Sequence, residues 1–343
     1  MIEAIPIAAG LASFAATWAV RRYALASNLI DVPNDRSSHA VATPRGGGLA
    51  IVVAIAAALA ALYVDGSIPV RHLIPWLLGG GAISLVGFID DRRGLKASVR
   101  FAVHATAGLL LIGLTGVGAI PWPAGVVGAG WLTLFVAWVG ILWSINLFNF
   151  MDGTDGLASS EAMYIFLAAA SIRWWTGLHD GVAILMAACA AGSAGFLFWN
   201  WPPAKIFMGD VGSGFLGFAI AACATLASSA SSLTIWTWVV LGGTFAADAT
   251  VTLAVRAIHG EKVYEAHRGH VYQRLSRRWN SHRAVLLLNM LINVLWLLPL
   301  AIWTVIEPRN GMYIAVVALA PLAVGAVRLG GGQPGDLGGV RWS

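Results

Sequence analysis

The sequence predicts an all-α, polytopic integral membrane protein of about eleven transmembrane helices. Apolar residues make up 58% of the 343 residues and charged residues only 11%, and the mean hydropathy is +0.77. A soluble domain of average composition carries about 25% charged residues. Apolar stretches long enough to cross a ~30 Å hydrocarbon core as helices recur along the whole chain. Because unpaired backbone is costly in lipid and the alternation of a β-barrel is not seen, helices are the expected element.

The apolar stretches define one continuous transmembrane domain over residues 1–330, since no hydrophilic block is long enough for a separate soluble domain. Cys189 and Cys223 lie inside apolar stretches and are interpreted as packing residues. The Gly-rich segment 331–343 is predicted to be disordered. The predicted spans are residues 2–20, 47–64, 73–89, 99–118, 124–145, 157–175, 181–198, 212–228, 232–255, 284–305 and 312–328.

The distribution of Lys and Arg predicts the orientation. Loops that alternate to one side carry 18 of the 21 basic residues, and the other side carries only Arg71, Arg173 and Arg309. By the positive-inside rule the N-terminus is periplasmic and the C-terminus cytoplasmic. Arg21 and Arg22 follow the first apolar run, which is therefore interpreted as an anchor and not as a cleavable signal. A basic face beside a membrane suits anionic lipids or phosphorylated ligands, and no nucleic-acid partner is predicted.

Polar residues concentrate in five segments on the predicted cytoplasmic side. In "FIDDRRGLK", the adjacent carboxylates Asp90 and Asp91 repel each other and need a cation or a shared proton. A metal site or a catalytic base would explain them, and a solvated turn paired with Arg92 and Arg93 is the alternative. The other four segments are "DVPNDRSSHAVATPRGGG", "NLFNFMDGTDG", "WNWPPAKIFMGDVGSG" and "YEAHRGHVYQRL".

In "NLFNFMDGTDG", four polar side chains follow one another at steps of three residues at the end of the fifth predicted span. They are Asn146, Asn149, Asp152 and Asp155, and their oxygens are expected to surround a helix end. Hard oxygen ligands suit Mg²⁺ or hydrogen bonds to a ribose or base. The alternative is an Asn/Asp/Gly helix stop.

Asp210 follows an X-Pro-Pro break, and the Gly-Ser-Gly sequence after it offers free N–H groups to an anion. Phe207 is a candidate to stack on a base, and a simple Pro/Gly turn is the alternative. Asp248 lies inside the ninth predicted span, where a carboxylate is functional by default. A hydrogen bond to a neighbouring Thr or Asn would make Asp248 structural.

The last segment supplies His267, Arg268 and His270 in the most basic loop, as candidates to bind phosphate through charge-assisted hydrogen bonds. An interfacial helix is the alternative interpretation. In the first segment, Arg36 and Arg45 are candidate phosphate contacts, and a plain basic loop is equally compatible.

Taken together and in this order, the five segments resemble the polyprenyl-phosphate N-acetylhexosamine-1-phosphate transferase family (glycosyltransferase family 4), over roughly residues 28–275. The resemblance implies a multi-pass enzyme of the bacterial cytoplasmic membrane with its active site on the cytoplasmic face. Such an enzyme transfers a HexNAc 1-phosphate from a UDP-sugar to undecaprenyl phosphate or another polyprenyl phosphate and releases UMP. It requires Mg²⁺, with Mn²⁺ as the alternative metal. The implied partners are the two substrates and the lipid bilayer, and a homodimer is a candidate assembly.

The resemblance also assigns roles to individual residues. It implies that Asp210, helped by Asn149, holds Mg²⁺, and that Asp90, Asp91 and Asp155 are catalytic. One aspartate of the pair then accepts a proton from the lipid phosphate, or else forms a covalent intermediate. The substrate contacts that it implies are Lys96, Asn149, Asp152, Asn200, Phe207, His267, Arg268, His270, Arg36 and Arg45.

The last loop departs from the peptidoglycan branch of that family. Where the translocase has three consecutive histidines, this chain has His267-Arg-Gly-His270, which looks more like the O-antigen-initiating branch. The first membrane step of O-antigen or related cell-envelope polysaccharide synthesis is therefore predicted. Two other functions were weighed: a secondary transporter, for which many spans and Asp248 are natural, and a CDP-alcohol-type phosphotransferase, whose acidic motif begins like "DGTDGLA".

Overall fold

The computed structural model describes residues 2–32, 41–118, 120–122, 125–128, 130–229, 233–262 and 267–333. Arg36 lies outside these residues, as do residues 334–343 of the predicted tail. Helices dominate the described part of the chain. The α-helices are α1 (Ile5–Ala26), α2 (Gly48–Val64), α3 (Val70–Pro75), α4 (Gly81–Arg93), α5 (Ala97–Thr115), α6 (Trp131–Met151), α7 (Leu157–Trp175), α8 (Gly181–Asn200), α9 (Asp210–Ser229), α10 (Ile235–Leu241), α11 (Gly243–Ile258), α12 (Val271–Trp279), α13 (His282–Ile292), α14 (Leu298–Ile306) and α15 (Gly311–Arg328).

Short elements join or extend these helices. π-helical turns at Trp76–Gly80 and Asn293–Leu297 link α3 to α4 and α13 to α14, so each pair forms one continuous helix. 3-10 turns at Ile2–Ala4 and Pro308–Asn310 precede α1 and α15. Two antiparallel hairpins complete the described elements: β1 (Ile30–Asp31) with β2 (Thr43–Pro44), and β3 (Ile120–Trp122) with β4 (Gly125–Val127).

The all-α membrane class is confirmed. Within the described ranges, eight helical segments are long and apolar enough to cross a membrane, and α10 with α11, bent by 79°, forms a ninth. The two remaining predicted spans coincide with α2, which has 17 residues, and with the less apolar α7. The number of crossings stays a prediction.

Several predicted span boundaries were wrong, and those of the fifth predicted span are the most informative. The span predicted at 124–145 is a helix at Trp131–Met151, preceded by the β3–β4 hairpin. Asn146 and Asn149 therefore lie within the last turns of α6 and not in a loop. The helix accommodates them because their amides find partners: Asn146 Nδ2 donates to the carbonyl of Leu142 at 2.7 Å. α1 and α4 also continue past their predicted ends, to Ala26 and Arg93.

α9 is the central helix of the bundle. In the most apolar 18-residue stretch of α9, 89% of the residues are buried. The corresponding value for α8, the next most buried of the long apolar helices, is 67%. α2, α4 and α6 pack around it. Glycines allow close backbone approach: a Cβ on Gly48 would lie 2.3 Å from Gly212 Cα, and one on Gly87 would lie 2.5 Å from the Asp210 carbonyl oxygen. Small residues at such contacts let helices in lipid pack backbone to backbone.

The lower hydropathy of α7 reflects a buried, hydrogen-bonded carboxyl group that joins this helix to its neighbours. Glu161 is fully buried and accepts hydrogen bonds from Asn289 Nδ2 at 2.7 Å and from Thr244 Oγ1 at 3.1 Å. Asn293, at the start of the π-helical turn, also donates to Glu161. The carboxyl group thus joins α7 to α11 and to the α13–α14 helix.

The close approach of α4 to α9 gives a matched pair of substitutions. Gly87→Ala places a methyl group against the backbone of Asp210, so we expect a loss of about 1–3 kcal/mol, the usual cost of overpacking. Gly81, in the same helix, has nothing within 4 Å of an added Cβ. Gly81→Ala should be neutral or stabilise by up to about 1 kcal/mol through helix propensity. Thermal unfolding of both variants in detergent tests this, and equal melting temperatures would contradict the packing.

Candidate active site

The candidate site lies where α9 begins. Asp91, in the last turn of α4, accepts hydrogen bonds from the backbone N–H groups of Asp210 at 3.0 Å and Val211 at 3.4 Å. The first N–H groups of a helix have no partner within it, and a carboxylate there is also stabilised by the helix dipole. The Asp91 side chain is only 1% exposed. It therefore caps α9 from a neighbouring helix.

Arg45 is the cation that forms a salt bridge with Asp91. Its Nη2 donates to Asp91 Oδ1 at 2.7 Å. The chain beside Arg45 is held against the end of the Pro-Pro loop, because Gly47 N–H donates to the Phe207 carbonyl at 2.9 Å and Phe207 N–H donates to the Pro44 carbonyl at 2.8 Å. The first and fourth polar segments thus pair along their backbones, and Arg45 is directed at a carboxylate.

Asp90 and Asp210 are bridged by Arg100, in the first turn of α5. Arg100 Nη1 lies 2.6 Å from Asp90 Oδ2 and 3.0 Å from Asp210 Oδ2. Asp90 also accepts the backbone N–H of Leu95. One guanidinium therefore serves two acidic side chains from different helices.

The partners of the aspartate pair are not its neighbours in sequence. The Arg92 guanidinium lies 4.3 Å from the centre of the Phe88 ring and donates to Tyr23 Oη at 3.2 Å. The alternative of a solvated turn paired with Arg92 and Arg93 is therefore wrong. Arg100 was missed as a site residue, although a cation just inside an apolar span is a usable signal.

The end of α6 brings two more predicted residues to the same place. Asn149 Nδ2 donates to Ser213 Oγ of α9 at 3.2 Å. Asp152 directly follows α6, and its carboxyl group lies within electrostatic range of Asp210 and Asp91. Burial, together with these neighbouring carboxylates, raises the pKa of Asp152 well above its usual value.

A cavity of about 290 Å³ opens between α4, α5, α6 and α9. Its lining is mixed, because charged and amide side chains share the walls with large apolar side chains. The polar part includes Asp210, Arg100, Asn149, Asn146 and His104, and the apolar part includes Ile83, Val86, Phe101 and Phe150. An amphiphilic ligand matches such a lining.

The charges around the cavity fit a divalent cation. The carboxylate cluster contains four acids and two guanidiniums, so the acids outnumber the cations, and a bound cation would favour the ionised form of a carboxyl group whose pKa is raised, such as Asp152. Among the described residues, no three His, Cys, Asp or Glu side chains converge as a complete metal cage. Mg²⁺ rarely needs one, because it binds through one or two carboxylates together with water and substrate phosphates. The carboxylate cluster consists of Asp90, Asp91, Asp152 and Asp210 with Arg45 and Arg100.

Asp155 and Phe207 line a second cavity, of about 450 Å³. Asp155 Oδ2 accepts the backbone N–H of Ala204 at 3.0 Å, and Oδ1 lies 3.3 Å from His282 Nδ1. The structure therefore ties Asp155 to the Pro-Pro loop and to the start of α13, and the carboxylate cluster is formed without it.

Asn200, the last residue of α8, is 3% exposed. Its Oδ1 accepts the Gly156 N–H at 2.9 Å and the Ser159 hydroxyl at 3.3 Å, and its Nδ2 donates to the Ile206 carbonyl at 2.9 Å. These bonds join the central loop to the Pro-Pro loop, so the geometry gives Asn200 a positioning role.

The histidine loop is fixed by Asp248 of α11. The Asp248 carboxylate accepts the backbone N–H groups of Val271 at 3.0 Å and Tyr272 at 2.9 Å, and lies 3.2 Å from His270 Nδ1. Thr252 Oγ1 donates to it at 3.1 Å, as the structural interpretation of this residue expects. Asp248 is therefore the cap of α12 and the partner of His270.

α12 presses the histidine loop against the end of α6. Tyr272 Oη donates to the Phe150 carbonyl at 3.0 Å, and the His270 ring stacks 6.3 Å from the Phe150 ring, which lines the first cavity. His270 is 2% exposed. The more accessible His267 stacks on it at 4.7 Å.

The protonation of His267 follows from its surroundings. Its Nδ1 accepts the Gly269 N–H at 3.1 Å, so the proton of the neutral ring lies on Nε2. Burial, followed by the charges of His270 and Arg256, lowers the pKa of His267 to about 3. His267 therefore offers a phosphate a neutral N–H donor, and the permanent charge of this loop belongs to Arg268.

The remaining residues lie at the edges of the site. Lys96 is exposed and directly precedes α5. Residues 331–333, at the start of the tail predicted to be disordered, pack on the histidine loop: Gly332 N–H donates to the Gly269 carbonyl at 2.9 Å, and Arg274 donates to the Gln333 carbonyl. Residues 331–333 of the predicted tail therefore contact the transmembrane domain.

Residues 73–229 match the sequence model described as Glycosyl transferase family 4. A phospho-N-acetylmuramoyl-pentapeptide-transferase of Desulforamulus reducens is 34% identical over 272 residues, covering 71% of this chain and 78% of the relative. The chain belongs to glycosyl transferase family 4. The family resemblance of the five polar segments is therefore confirmed, and the matched region runs from α3 to the end of α9.

Two other relatives are named for a polyprenyl-phosphate acceptor. A probable undecaprenyl-phosphate N-acetylglucosaminyl 1-phosphate transferase of Bacillus subtilis is 28% identical over 283 residues, covering 81% of this chain and 78% of the relative. A decaprenyl-phosphate N-acetylglucosaminephosphotransferase of Mycobacterium tuberculosis is 29% identical over 325 residues, covering 83% and 78%. This family 4 protein is thus similar to members named for different sugars.

The neutral His267 predicts a pH dependence of stability. The unfolded chain binds a proton at this histidine near pH 6.5, whereas the folded chain does so only near pH 3. The contribution of His267 therefore lowers the free energy of unfolding as the pH falls from about 6.5 toward 3. His267→Gln should lose less stability than wild type between pH 6.5 and 4, as measured by melting temperature in detergent. The matched control is His259→Gln at an exposed position, and an unchanged pH slope in His267→Gln would contradict the assignment.

Proposed function

We propose that this family 4 protein transfers a HexNAc 1-phosphate from a UDP-sugar to a polyprenyl phosphate, giving polyprenyl-diphosphate-HexNAc and UMP. One observation carries the proposal: a single cavity is lined both by Asp210, Arg100 and Asn149 and by large apolar side chains. A lipid phosphate has that distribution of charge and apolar surface. We further propose that this end of the bundle faces the cytoplasm of a bacterial inner membrane, as the basic loops favour.

The two reactants would enter from different sides. We assign the first cavity to the lipid phosphate, with Arg100 as its nearest cation. The second cavity, lined by Phe207 and Asp155 and flanked by Arg277 and Arg283, is assigned to the UDP-sugar. An aromatic ring can stack on a base, and a carboxylate can accept hydrogen bonds from a nucleoside. His267 and Arg268 would contact the diphosphate between the two.

Asp210 and Asn149 are the proposed metal ligands, for Mg²⁺ or Mn²⁺. When bound there, the ion supplies neutralisation of the diphosphate charge, which is the main barrier when two anions react. The oxygen donors and the excess of four acids over two guanidiniums support this choice. Asp91, Arg45 and the cap of α9 hold Asp210 in place.

For the reaction itself, Asp90 is the proposed proton acceptor. Its side chain is 11% exposed, against 1% for Asp91, and it pairs at 2.6 Å with Arg100, which lines the cavity. An oxygen of the lipid phosphate, after giving its proton to Asp90, attacks the β-phosphorus of the UDP-sugar. The bond between the β-phosphorus and the bridging oxygen breaks, and UMP leaves. The buried Asp91 would act by position only.

The donor class and the pathway are part of the proposal. UDP-N-acetylglucosamine is the first donor to test, because two relatives carry that sugar in their names. The His267-Arg-Gly-His270 loop favours the first membrane step of O-antigen or related cell-envelope polysaccharide synthesis.

A direct assay tests the activity and its metal. Purified protein with undecaprenyl phosphate, UDP-N-acetylglucosamine and Mg²⁺ should release UMP, and EDTA should abolish the release. Asp210→Asn should lower turnover by about 100-fold or more, as removal of a transition-state contact does. Asp65→Asn, at an exposed position at the opposite end of the bundle, is the control and should match wild type. Full turnover of Asp210→Asn, or activity in EDTA, would contradict the metal assignment.

Arg100 allows a second test within the same segment. Arg100→Ala removes the cation shared by Asp90 and Asp210, so the two carboxylates repel each other and turnover should fall about 100-fold. Arg93→Ala, seven residues earlier and exposed, should retain activity. Equal UMP release by the two variants would show that the shared guanidinium has no part in the reaction.

A further inference from the structure

His104 lines the first cavity but belongs to none of the contacts described so far. It lies on α5 four residues after Arg100, and residues four apart share one face of a helix. Because α5 begins at the site end of the bundle, His104 lies about 6 Å deeper along the helix than Arg100. The cavity lining includes both side chains.

The imidazole of His104 is buried without a complete set of hydrogen bonds. The residue is 8% exposed, and its Nδ1 is buried with no hydrogen-bond partner among the residues that the structure describes. Buried polar atoms are nearly always paired, so each exception needs an explanation. A ligand bound in the cavity would explain this exception, because His104 already lines that space.

The rest of the lining indicates the class of ligand. Arg100 supplies a cation to the lining, whereas Ile83, Val86 and Phe101 offer only apolar contact. Phe101 is 53% exposed, so the apolar part of the lining reaches the surface of the helical bundle. A UDP-sugar is polar along its whole length. A phosphorylated lipid has one anionic end and an apolar body.

We propose that His104 hydrogen-bonds a phosphate oxygen of the polyprenyl phosphate and thereby sets the affinity of the enzyme for its lipid substrate. The inference rests on the proposed function and deepens it by one substrate contact. An imidazole nitrogen can donate to a phosphate oxygen, and Arg100, one turn away on the same face of α5, can contact the same group. His104 has no proton-transfer role in this account.

Steady-state kinetics of UMP release can isolate this contact. His104→Phe keeps the size and removes the nitrogen, so the KM for undecaprenyl phosphate should rise about 10- to 100-fold, the effect of losing a hydrogen bond to a charged group. The KM for the UDP-sugar and kcat should stay within about twofold, because the contact does not change during the reaction. His104→Asn, which restores a short polar group, should recover most of the lipid affinity.

The matched control is His72→Phe. His72 Nδ1 is also buried without a hydrogen-bond partner in the described structure, but His72 lies on α3 and does not line the cavity. It reports the general effect of replacing such a histidine by Phe. His104→Leu is measured in parallel, so that the result does not depend on whether the Phe variant folds.

The outcomes separate this proposal from the proposed function. If wild type releases no UMP from any UDP-HexNAc, the proposed function fails. If wild type is active and the lipid KM of the His104 variants equals that of His72→Phe, only the His104 contact is overturned. A rise in the KM for the UDP-sugar alone would also overturn it, because His104 would then contact the donor.

Discussion

The bond between the Asp91 carboxylate and the first N–H groups of α9 is the interaction on which the site depends. A carboxylate that is 1% exposed costs several kcal/mol to bury unless it is paired and hydrogen-bonded. The N-terminus of the most buried helix has unsatisfied N–H groups of its own. The Asp91 carboxylate accepts hydrogen bonds from these N–H groups, and Arg45 supplies the charge that compensates the carboxylate. Removing any one of the three would leave a buried charge or a buried donor without a partner.

This interaction also explains why acids that repel one another are found together. With α4 fixed to the start of α9, Asp90 and Asp210 are brought into contact, and Asp152 at the end of α6 adds a third carboxyl group nearby. The four acids outnumber the two guanidiniums. The acids therefore collect at the start of α9, where a bound divalent cation would stabilise their ionised form. The proposed transfer between two phosphorylated substrates would use such a cation.

Much of the fold could be predicted because hydropathy and helix length are local properties. Every predicted span falls on a helix, and Asp90, Asp91, Asn149, Asp152 and Asp210 do converge. The end of α6 was misplaced because hydropathy falls at Asn146, although an amide can be satisfied inside a helix by a carbonyl four residues earlier.

Contacts between distant residues were the part that sequence could not supply. Nothing local indicates that Arg100 pairs with an acid 110 residues further along the chain, or that Asp248 caps a helix 23 residues further on. Asp155 and Asn200 carry the same polar chemistry as the cluster residues, yet the structure uses their side chains to join loops. Side-chain type indicated that a site exists, and only the packing shows which groups face the cavity.

The most direct test of this account is the position of the metal. A structure of the protein with Mn²⁺ and UDP, with the ion located by its anomalous signal, should place the metal about 2.0–2.2 Å from an oxygen of Asp210, with Asn149 as its neighbour. A metal bound instead between Asp152 and Asp155, with Asp210 held only by Arg100, would contradict the claim that the capped start of α9 is the metal site.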